Sequence, residues 1–232
     1  MLYVRNEDQR GRANFGWLDS KHSFSFGHYY DRKHMGFSAL RVINDDTVIP
    51  GAGFDTHGHR DMEIISYVLD GVIEHKDSMG KHSVLPAGEV QRMSAGTGVT
   101  HSEFNSSRTE KLRFLQIWIQ PRVKGVKPSY EQRAIKQDGK LTALVTPSGE
   151  GNSLSINQDA SMYRLKLNEG ESYLFDTIKR PGYLHVIEGN LTVNESAMQA
   201  GDAIGAYQEK LSVKARTPLT ALWFDLPNWD VK

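Results

Sequence analysis

The chain has 232 residues with 28 Lys plus Arg and 28 Asp plus Glu, so its formal net charge is zero and nucleic acid is not expected as its main partner. It contains no cysteine, which excludes disulfides, thiolate metal sites and cysteine nucleophiles, so any metal must be held by nitrogen and oxygen. Hydrophobic residues make up 38%, enough for one large folded core or two small ones.

The N-terminal segment carries charges within its first ten residues and lacks the apolar run of a secretory signal. No apolar stretch approaches the roughly 18 to 20 residues needed to cross a bilayer. We therefore expect a cytoplasmic protein without membrane association, and a monomer.

Strand signals dominate the chain, as short segments rich in β-branched and aromatic residues with turn-forming residues near their ends. Only PSYEQRAIK (128–136) offers a turn or two of helix. Many short, closely spaced strands indicate an all-β protein, an antiparallel sandwich or barrel. The predicted strands are FSALRVIND (37–45), EIISYVLDG (63–71), LRFLQIWIQ (112–120), SMYRLKLN (161–168), GYLHVIEGNLTVN (182–194) and LTALWFDL (219–226).

A short internal repeat divides the chain. YVLDG (67–71) resembles HVIEG (185–189), and PAGEV (86–90) resembles QAGDA (199–203) at nearly the same offset. In each copy a strand ends in an acidic residue and glycine, and a second strand leads to an Ala-Gly-acid turn. The repeat predicts two related β domains, residues 1–130 and residues 131–232.

Two pairs of candidate ligands stand out in the first half. His57 and His59 are two residues apart in THGHRDME (56–63), and His101 and Glu103 are two apart in GTGVTHSEFN (96–105). Alternate residues of a strand point to the same face, so each pair would project together. Three imidazoles and one carboxylate suit one divalent transition metal: iron, nickel, cobalt, manganese, copper or zinc.

A lone His-x-His is more often a surface pair than part of a metal site. The residues at fixed spacings around the two pairs favour the metal site. Gly51 and Glu63 frame the first pair, and Gly98 and Asn105 frame the second. Glu63 shares its parity with His57 and His59, so strand alternation alone does not exclude it as a ligand.

These spacings resemble the two motifs of the cupin superfamily, small β-barrels with a metal inside. The closer resemblance is to the pirin family of bicupins, although seven residues separate Glu63 from Gly71 where the general cupin pattern has six. It implies two tandem cupin barrels, with His57, His59, His101 and Glu103 as metal ligands and Glu63 as their neighbour. The matching segments are WLDSKHSFSFGHYYD (17–31), FDTHGHRDMEIISYVLDG (54–71), MSAGTGVTHSEFN (93–105) and LQIWIQP (115–121).

The second copy offers no comparable ligand set. Positions 57 and 59 correspond to Phe175 and Thr177, and positions 101 and 103 correspond to Lys214 and Arg216. We expect one metal in the N-terminal domain and a C-terminal cupin domain that lacks metal ligands.

The resemblance to bacterial pirins implies a quercetin 2,3-dioxygenase-like activity, in which O2 cleaves a flavonol and carbon monoxide is released. Glu103 would be both a ligand and the candidate general base. Phe54, Met93 and Trp118 are expected to line the pocket for the flat aromatic substrate. The alternative implied by the family is a metal-dependent module that binds a protein partner such as a transcription factor. A zinc hydrolase fits three nitrogen ligands but is disfavoured by the cupin spacing.

The remaining histidines are interpreted as structural or solvated. His22, His28 and His34 are expected in packing, turn or surface roles near the mouth of the pocket. His75 and His82 flank a predicted turn at residues 77–80 and are expected in solvent. His185 lies in a predicted strand of the metal-free copy.

Overall fold

The computed structural model describes residues 1–228; residues 229–232, the end of the predicted C-terminal domain, lie outside that range. The strands up to residue 134 are β1 (Leu2–Arg5), β2 (Gly11–Asn14), β3 (Leu18–His22), β4 (Leu40–Val48), β5 (Gly53–Asp70), β6 (Val72–Asp77), β7 (His82–Pro86), β8 (Glu89–Asn105), β9 (Leu112–Ile119) and β10 (Ser129–Ala134). Those that follow are β11 (Leu141–Thr146), β12 (Leu154–Ser155), β13 (Ser161–Leu167), β14 (Ser172–Asp176), β15 (Gly182–Glu188), β16 (Asn190–Val193), β17 (Ser196–Gln199), β18 (Ala203–Ala206), β19 (Lys210–Ala215) and β20 (Leu219–Asp225).

Helical structure in the described part is confined to two short 3-10 turns, Glu7–Gln9 and Glu150–Asn152. No helix within residues 1–228 has the length and apolar character to span a membrane.

The strands form three sheets across residues 1–228. The first has nine strands in the order β2-β3-β4-β9-β5-β8-β6-β7, with β10 paired to β8. The second has seven strands in the order β1-β18-β15-β20-β13-β11-β12, and the third has four, β14-β19-β16-β17. The predicted all-β class with two tandem cupin units is confirmed, and all six predicted strand segments contain strand.

The segment 128–136 is a strand, where the sequence offered a turn or two of helix. Ser129–Ala134 forms β10 and pairs antiparallel with β8. The guanidinium of Arg92 on β8 donates to the carbonyl oxygen of Ser129 at 3.3 Å and to its hydroxyl at 2.7 Å. Pairing with a distant strand therefore decides a local preference that the sequence left open.

Two pairings bear on the predicted division at residue 130, which stays a prediction. The N-terminal strand β1 pairs with β18 of the second half, with Leu2 opposite Ala206. Strand β10, which straddles the division, pairs with β8 of the first half. Each half of the chain therefore pairs with a strand that lies in the other half or extends into it.

The internal repeat has a structural meaning at its glycines. Gly71 and Gly189 close the matching segments, and both have left-handed backbones, with φ of 81° and 92°. A Cβ on Gly71 would lie 2.9 Å from the carbonyl oxygen of Lys111, and one on Gly189 would lie 2.3 Å from that of Pro218. Only glycine tolerates both the left-handed backbone and the close carbonyl oxygen at low cost, so the same residue recurs at the same turn.

Gly53, at the start of β5, lies against the strand that carries Glu103. A Cβ there would meet the carbonyl oxygen of Glu103 at 2.4 Å and the Cα of Phe104 at 2.5 Å. We expect Gly53→Ala to lower the free energy of unfolding by about 1–3 kcal/mol, because backbone atoms must move to make room. Gly58→Ala is the matched control: the nearest atom, Thr100 Cγ2, is 3.8 Å away, and urea denaturation should show a smaller loss.

His185 on β15 is buried, as expected of a structural residue, and it gives the fold an acid sensitivity. Burial, followed by the charge of Arg10, lowers the pKa of His185 to about 3, from about 6.5 in an unfolded chain. Between these values the unfolded chain binds a proton that the folded chain does not, so stability is lost as the pH falls.

We expect this residue to contribute a slope of up to about 1.4 kcal/mol per pH unit between pH 6.5 and 4. Urea denaturation of chelator-treated His185→Gln should show a slope shallower by that amount. His82→Gln, at an exposed position, should keep the parental slope. Equal slopes in all three proteins would contradict the assignment.

Candidate metal centre

The predicted histidines come together where β5 and β8 pair. His57 lies directly opposite His101, and His59 lies opposite Val99. The Nε2 atom of His101 is 3.0 Å from Nε2 of His59 and 3.1 Å from Nε2 of His57. Three ring nitrogens thus converge on one point, at the place that strand alternation predicted.

The protonation of the rings suits a cation. Nδ1 of His57 is 2.7 Å from the carbonyl oxygen of Asp55, which can only accept, so Nδ1 carries a hydrogen, and in the neutral ring Nε2 then presents the lone pair. Burial, then the charges of His101 and His57, lower the pKa of His59 to about 4. Burial also lowers the pKa of His101. His59 and His101 are therefore neutral near pH 7, as metal binding requires.

The spacing of the nitrogens also fits a shared ion. Two imidazole ligands at about 2.1 Å from a metal, set at right angles, lie about 3.0 Å apart. The two measured separations agree with that value. Both contacts share Nε2 of His101, which in a neutral ring either donates one hydrogen or accepts, so the three nitrogens cannot all be well paired with one another. A shared cation would satisfy all three.

Glu103 lies beside this group with its carboxylate held by three neighbours. A Glu103 oxygen, a His101 nitrogen and a His75 nitrogen lie within 4.8 Å of one another. Oε1 accepts from the Ser66 hydroxyl and from the Gln91 amide, each at 3.0 Å, and Oε2 accepts from the Gln116 amide at 2.7 Å. The side chain is thereby fixed in position next to the imidazoles.

Glu63 does not face the three imidazoles, although its parity matches that of His57 and His59. The register of β5 against β8 shifts between His59 and Asp61, where Asp61 has a left-handed φ of 64°. Glu63 instead accepts from the hydroxyl of Ser94 at 2.8 Å and from the backbone N–H of Asn157 at 3.3 Å. A β-bulge changes which side chains point inward, and this bulge removes Glu63 from the histidine cluster.

His75 is buried, so its expected exposure is wrong. It lies opposite Glu103 in the register of β6 with β8, and it shares the inward face of Ile73. Its Nε2 atom is 3.0 Å from the carboxylate of Asp77, the first residue of the predicted turn. The inward alternation of Ile73 and His75 is the sequence signal that would have identified this neighbour.

A cavity of about 920 Å³ opens beside the cluster and is lined by His57, His59 and Glu103. Aromatic rings make up much of its wall. Trp17 packs edge-on to Phe54 at 5.1 Å between ring centroids, and Trp118 packs edge-on to Phe26 at 5.3 Å and to His59 at 5.1 Å. The space and its walls suit a flat aromatic molecule placed next to the imidazoles.

Two of the three predicted pocket residues line this cavity, Phe54 and Trp118. Met93 does not: it is fully buried and packs with Ile64, Ala95 and Val99. The side chain contributes to the apolar core next to the site instead of to its surface.

Acidic and neutral polar groups also line the cavity, away from the histidine cluster. Burial raises the pKa of Asp46 to about 7, and the hydroxyl of Ser20 donates to its carboxylate. His22, Asn44 and Gln116 line the same cavity. His22 and His28, which were expected near the pocket mouth, both line the cavity. Nδ1 of His34, expected in the same place, lies 2.6 Å from the Tyr3 hydroxyl.

The positions in the second half that correspond to the histidine pair hold no metal ligands. Phe175, which corresponds to His57, stacks on Trp223 with ring centroids 3.9 Å apart, and Thr177 is fully buried. Both groups of clustered metal-ligating side chains found in residues 1–228 lie in the nine-stranded sheet.

Comparison with known families gives two matches along the chain. The sequence model described as Pirin matches residues 3–119, and the one described as the quercetinase C-terminal cupin domain matches residues 143–226. Together they account for both halves of the chain.

Individual relatives agree. The chain is 46% identical to a quercetin 2,3-dioxygenase of Escherichia coli K12, covering 98% of this chain and 99% of the relative. It is 34% identical to the pirin-like protein YhaK of the same strain, over 98% of this chain and 100% of that one. Its structure resembles the crystal structure of E. coli pirin YhhW in complex with nickel(II), with a TM-score of 0.94, 46% identity and coverage of 98% and 99%.

Proposed function

Because the chain belongs to the pirin family of bicupin proteins, we propose that it is a metal-dependent dioxygenase that cleaves flavonols such as quercetin with O2 and releases carbon monoxide. The observation that carries the proposal is the convergence of three imidazole nitrogens beside Glu103, at the wall of an aromatic cavity of about 920 Å³. His57, His59, His101 and Glu103 are the proposed ligands of one divalent transition metal.

The donor set is compatible with such an ion. Imidazole nitrogens and a carboxylate bind iron, nickel, cobalt, manganese, copper and zinc, and the relative YhhW has been crystallised with nickel(II). When bound, the ion would act as a Lewis acid that favours the ionised form of the substrate hydroxyl.

The proton of that hydroxyl needs an acceptor, and we assign this role to Glu103. Its carboxylate lines the cavity and lies next to His101. Ser66 and Gln91 occupy both lone pairs of Oε1, and Gln116 occupies one of Oε2. The remaining lone pair of Oε2 would serve the metal and the proton in turn, as the carboxylate shifts from one to the other. A positioned carboxylate of this kind contributes about 10²–10⁴-fold in general base catalysis.

The aromatic walls of the cavity serve substrate binding. Phe54 and Trp118 present ring faces and edges to the cavity, and both contact the histidine cluster: Phe54 is 6.4 Å from the ring of His57, and Trp118 is 5.1 Å from that of His59. A flat substrate held between such walls would have its reacting oxygen placed next to the imidazoles.

The test is turnover of quercetin by purified protein loaded separately with iron, nickel, cobalt, manganese or copper. Absorbance of quercetin should fall and carbon monoxide should appear under air, and neither should occur under nitrogen. Absence of turnover with all five metals would contradict the dioxygenase and leave the metal-dependent interaction module, which a pull-down with and without chelator addresses.

A further inference from the structure

A row of polar side chains runs across five neighbouring strands of the nine-stranded sheet, starting next to the candidate metal centre and continuing along the wall of the cavity. Each residue of the row lies directly opposite the next one, which is on the neighbouring strand. In register order they are Gln91 (β8), Ser66 (β5), Gln116 (β9), Asn44 (β4) and His22 (β3).

The row has two parts that differ in their hydrogen-bond partners. Gln91, Ser66 and Gln116 all bond to the carboxylate of Glu103. His22 and Asn44 continue the row beyond Gln116, and neither ring nitrogen of His22 nor Oδ1 of Asn44 has a hydrogen-bond partner in the described structure. Both side chains are more than nine-tenths buried, and both line the cavity.

From these contacts, and resting on the proposed function, we propose that His22 and Asn44 form a hydrogen-bonding subsite for a hydroxyl group on the substrate ring remote from the metal-bound oxygen. Buried polar groups are nearly always hydrogen-bonded, so two neighbouring side chains on a cavity wall that lack protein partners leave hydrogen-bonding capacity that a ligand can use. The substrate class is thereby narrowed from flat aromatics to aromatics with a second hydroxyl.

The chemistry of the pair matches a hydroxyl. Burial, then the charge of Arg10, lowers the pKa of His22 to about 4, so the ring is neutral near pH 7 and has one N–H donor and one acceptor nitrogen. Asn44 Oδ1 is a second acceptor. A hydroxyl can accept from the His22 ring and donate to Asn44 at the same time, whereas a charged group would meet no counter-charge from these two side chains.

The positions of His22 and Asn44 in the row set their distance from Glu103, where the reacting oxygen of the substrate would lie. Adjacent strands are about 4.8 Å apart, which places Asn44 about 5 Å and His22 about 10 Å from Gln116 along the row. Gln116 in turn bonds to Glu103, so the row spans a distance on the scale of fused aromatic rings. Phe26 packs 5.4 Å from the His22 ring and closes this end with an apolar surface.

The test compares two flavonols that share the reactive 3-hydroxyl: quercetin, which has further hydroxyls, and 3-hydroxyflavone, which has none. We expect the metal-loaded wild-type protein to prefer quercetin in kcat/KM by at least about 10-fold, since a site built for a hydroxyl discriminates against analogues without it. In Asn44→Leu and His22→Phe the ratio should fall towards one. His82→Phe, at an exposed position, should keep the wild-type ratio.

Binding under nitrogen, followed by quenching of tryptophan fluorescence, separates this proposal from the proposed function. If no flavonol is turned over under air but the variants abolish the preference in binding, the subsite stands and the dioxygenase does not. If turnover occurs and both variants keep the quercetin preference, or lose both substrates equally, the subsite is wrong. It is also wrong if neither flavonol binds. Should one variant fail to fold, the other decides.

Discussion

Replacement of His101 by alanine should abolish metal loading and, with it, turnover. The Nε2 atom of His101 faces both His57 and His59, and a nitrogen of His101 also lies within 4.8 Å of a Glu103 oxygen. Without His101, no Glu103 oxygen lies within 4.8 Å of both remaining histidine nitrogens. Two imidazoles alone provide too few donors for a tight site. We expect the affinity for divalent metal to fall by more than about 100-fold, since even loss of a residue that only orients a ligand costs about 10–100-fold.

Metal analysis of the purified variant, with the quercetin assay beside it, measures this effect. His82→Ala is the matched control, because that histidine is exposed and pairs with Glu74, away from the cluster. Thermal unfolding in the presence of chelator separates metal loss from loss of fold: His101→Ala should unfold near the wild-type temperature when both lack metal. Full metal content in His101→Ala would overturn the site.

The pairing of the candidate ligands could be predicted because it depends on local geometry. Residues two apart in a strand share a face, so His57 with His59 and His101 with Glu103 could be recognised without any knowledge of the fold. The same rule failed for Glu63. The bulge at Asp61 inverts the alternation within β5, and a bulge is set by how two strands pair, which the sequence of one strand does not specify.

The polar row could not be predicted for a related reason. Gln116 lies between Asn44 and Ser66 only because β9 inserts between β4 and β5 in the sheet order. Such contacts join residues far apart in sequence, and their register is fixed by the completed barrel. His75 differs, since its inward face follows from the alternation of β6, and only its nearness to a turn suggested exposure.

Replacement of Glu103 by glutamine should remove turnover while leaving the fold intact. The hydrogen-bond network around the carboxylate can adapt if the Gln116 side-chain amide rotates by about 180°. The Gln116 oxygen then accepts from the new amide at position 103, and the Gln116 NH2 group donates to the Ser66 hydroxyl. Ser66, Gln91 and Gln116 each keep a hydrogen-bond partner in this arrangement, so we expect the free energy of unfolding to change by less than about 1.5 kcal/mol. An amide does not accept a proton at neutral pH, so kcat should fall by at least about 100-fold.

The comparison that decides this assignment is kcat per bound metal, because three imidazoles remain to hold an ion in the variant. Glu110→Gln, at an exposed carboxylate, makes the same chemical change outside the cavity and should leave kcat per metal unaltered. If Glu103→Gln retains kcat per metal within about tenfold of wild type, Glu103 does not accept the proton. Its carboxylate would then serve only to complete the ligand set, and the buried Asp46 on the cavity wall would be the next group to test.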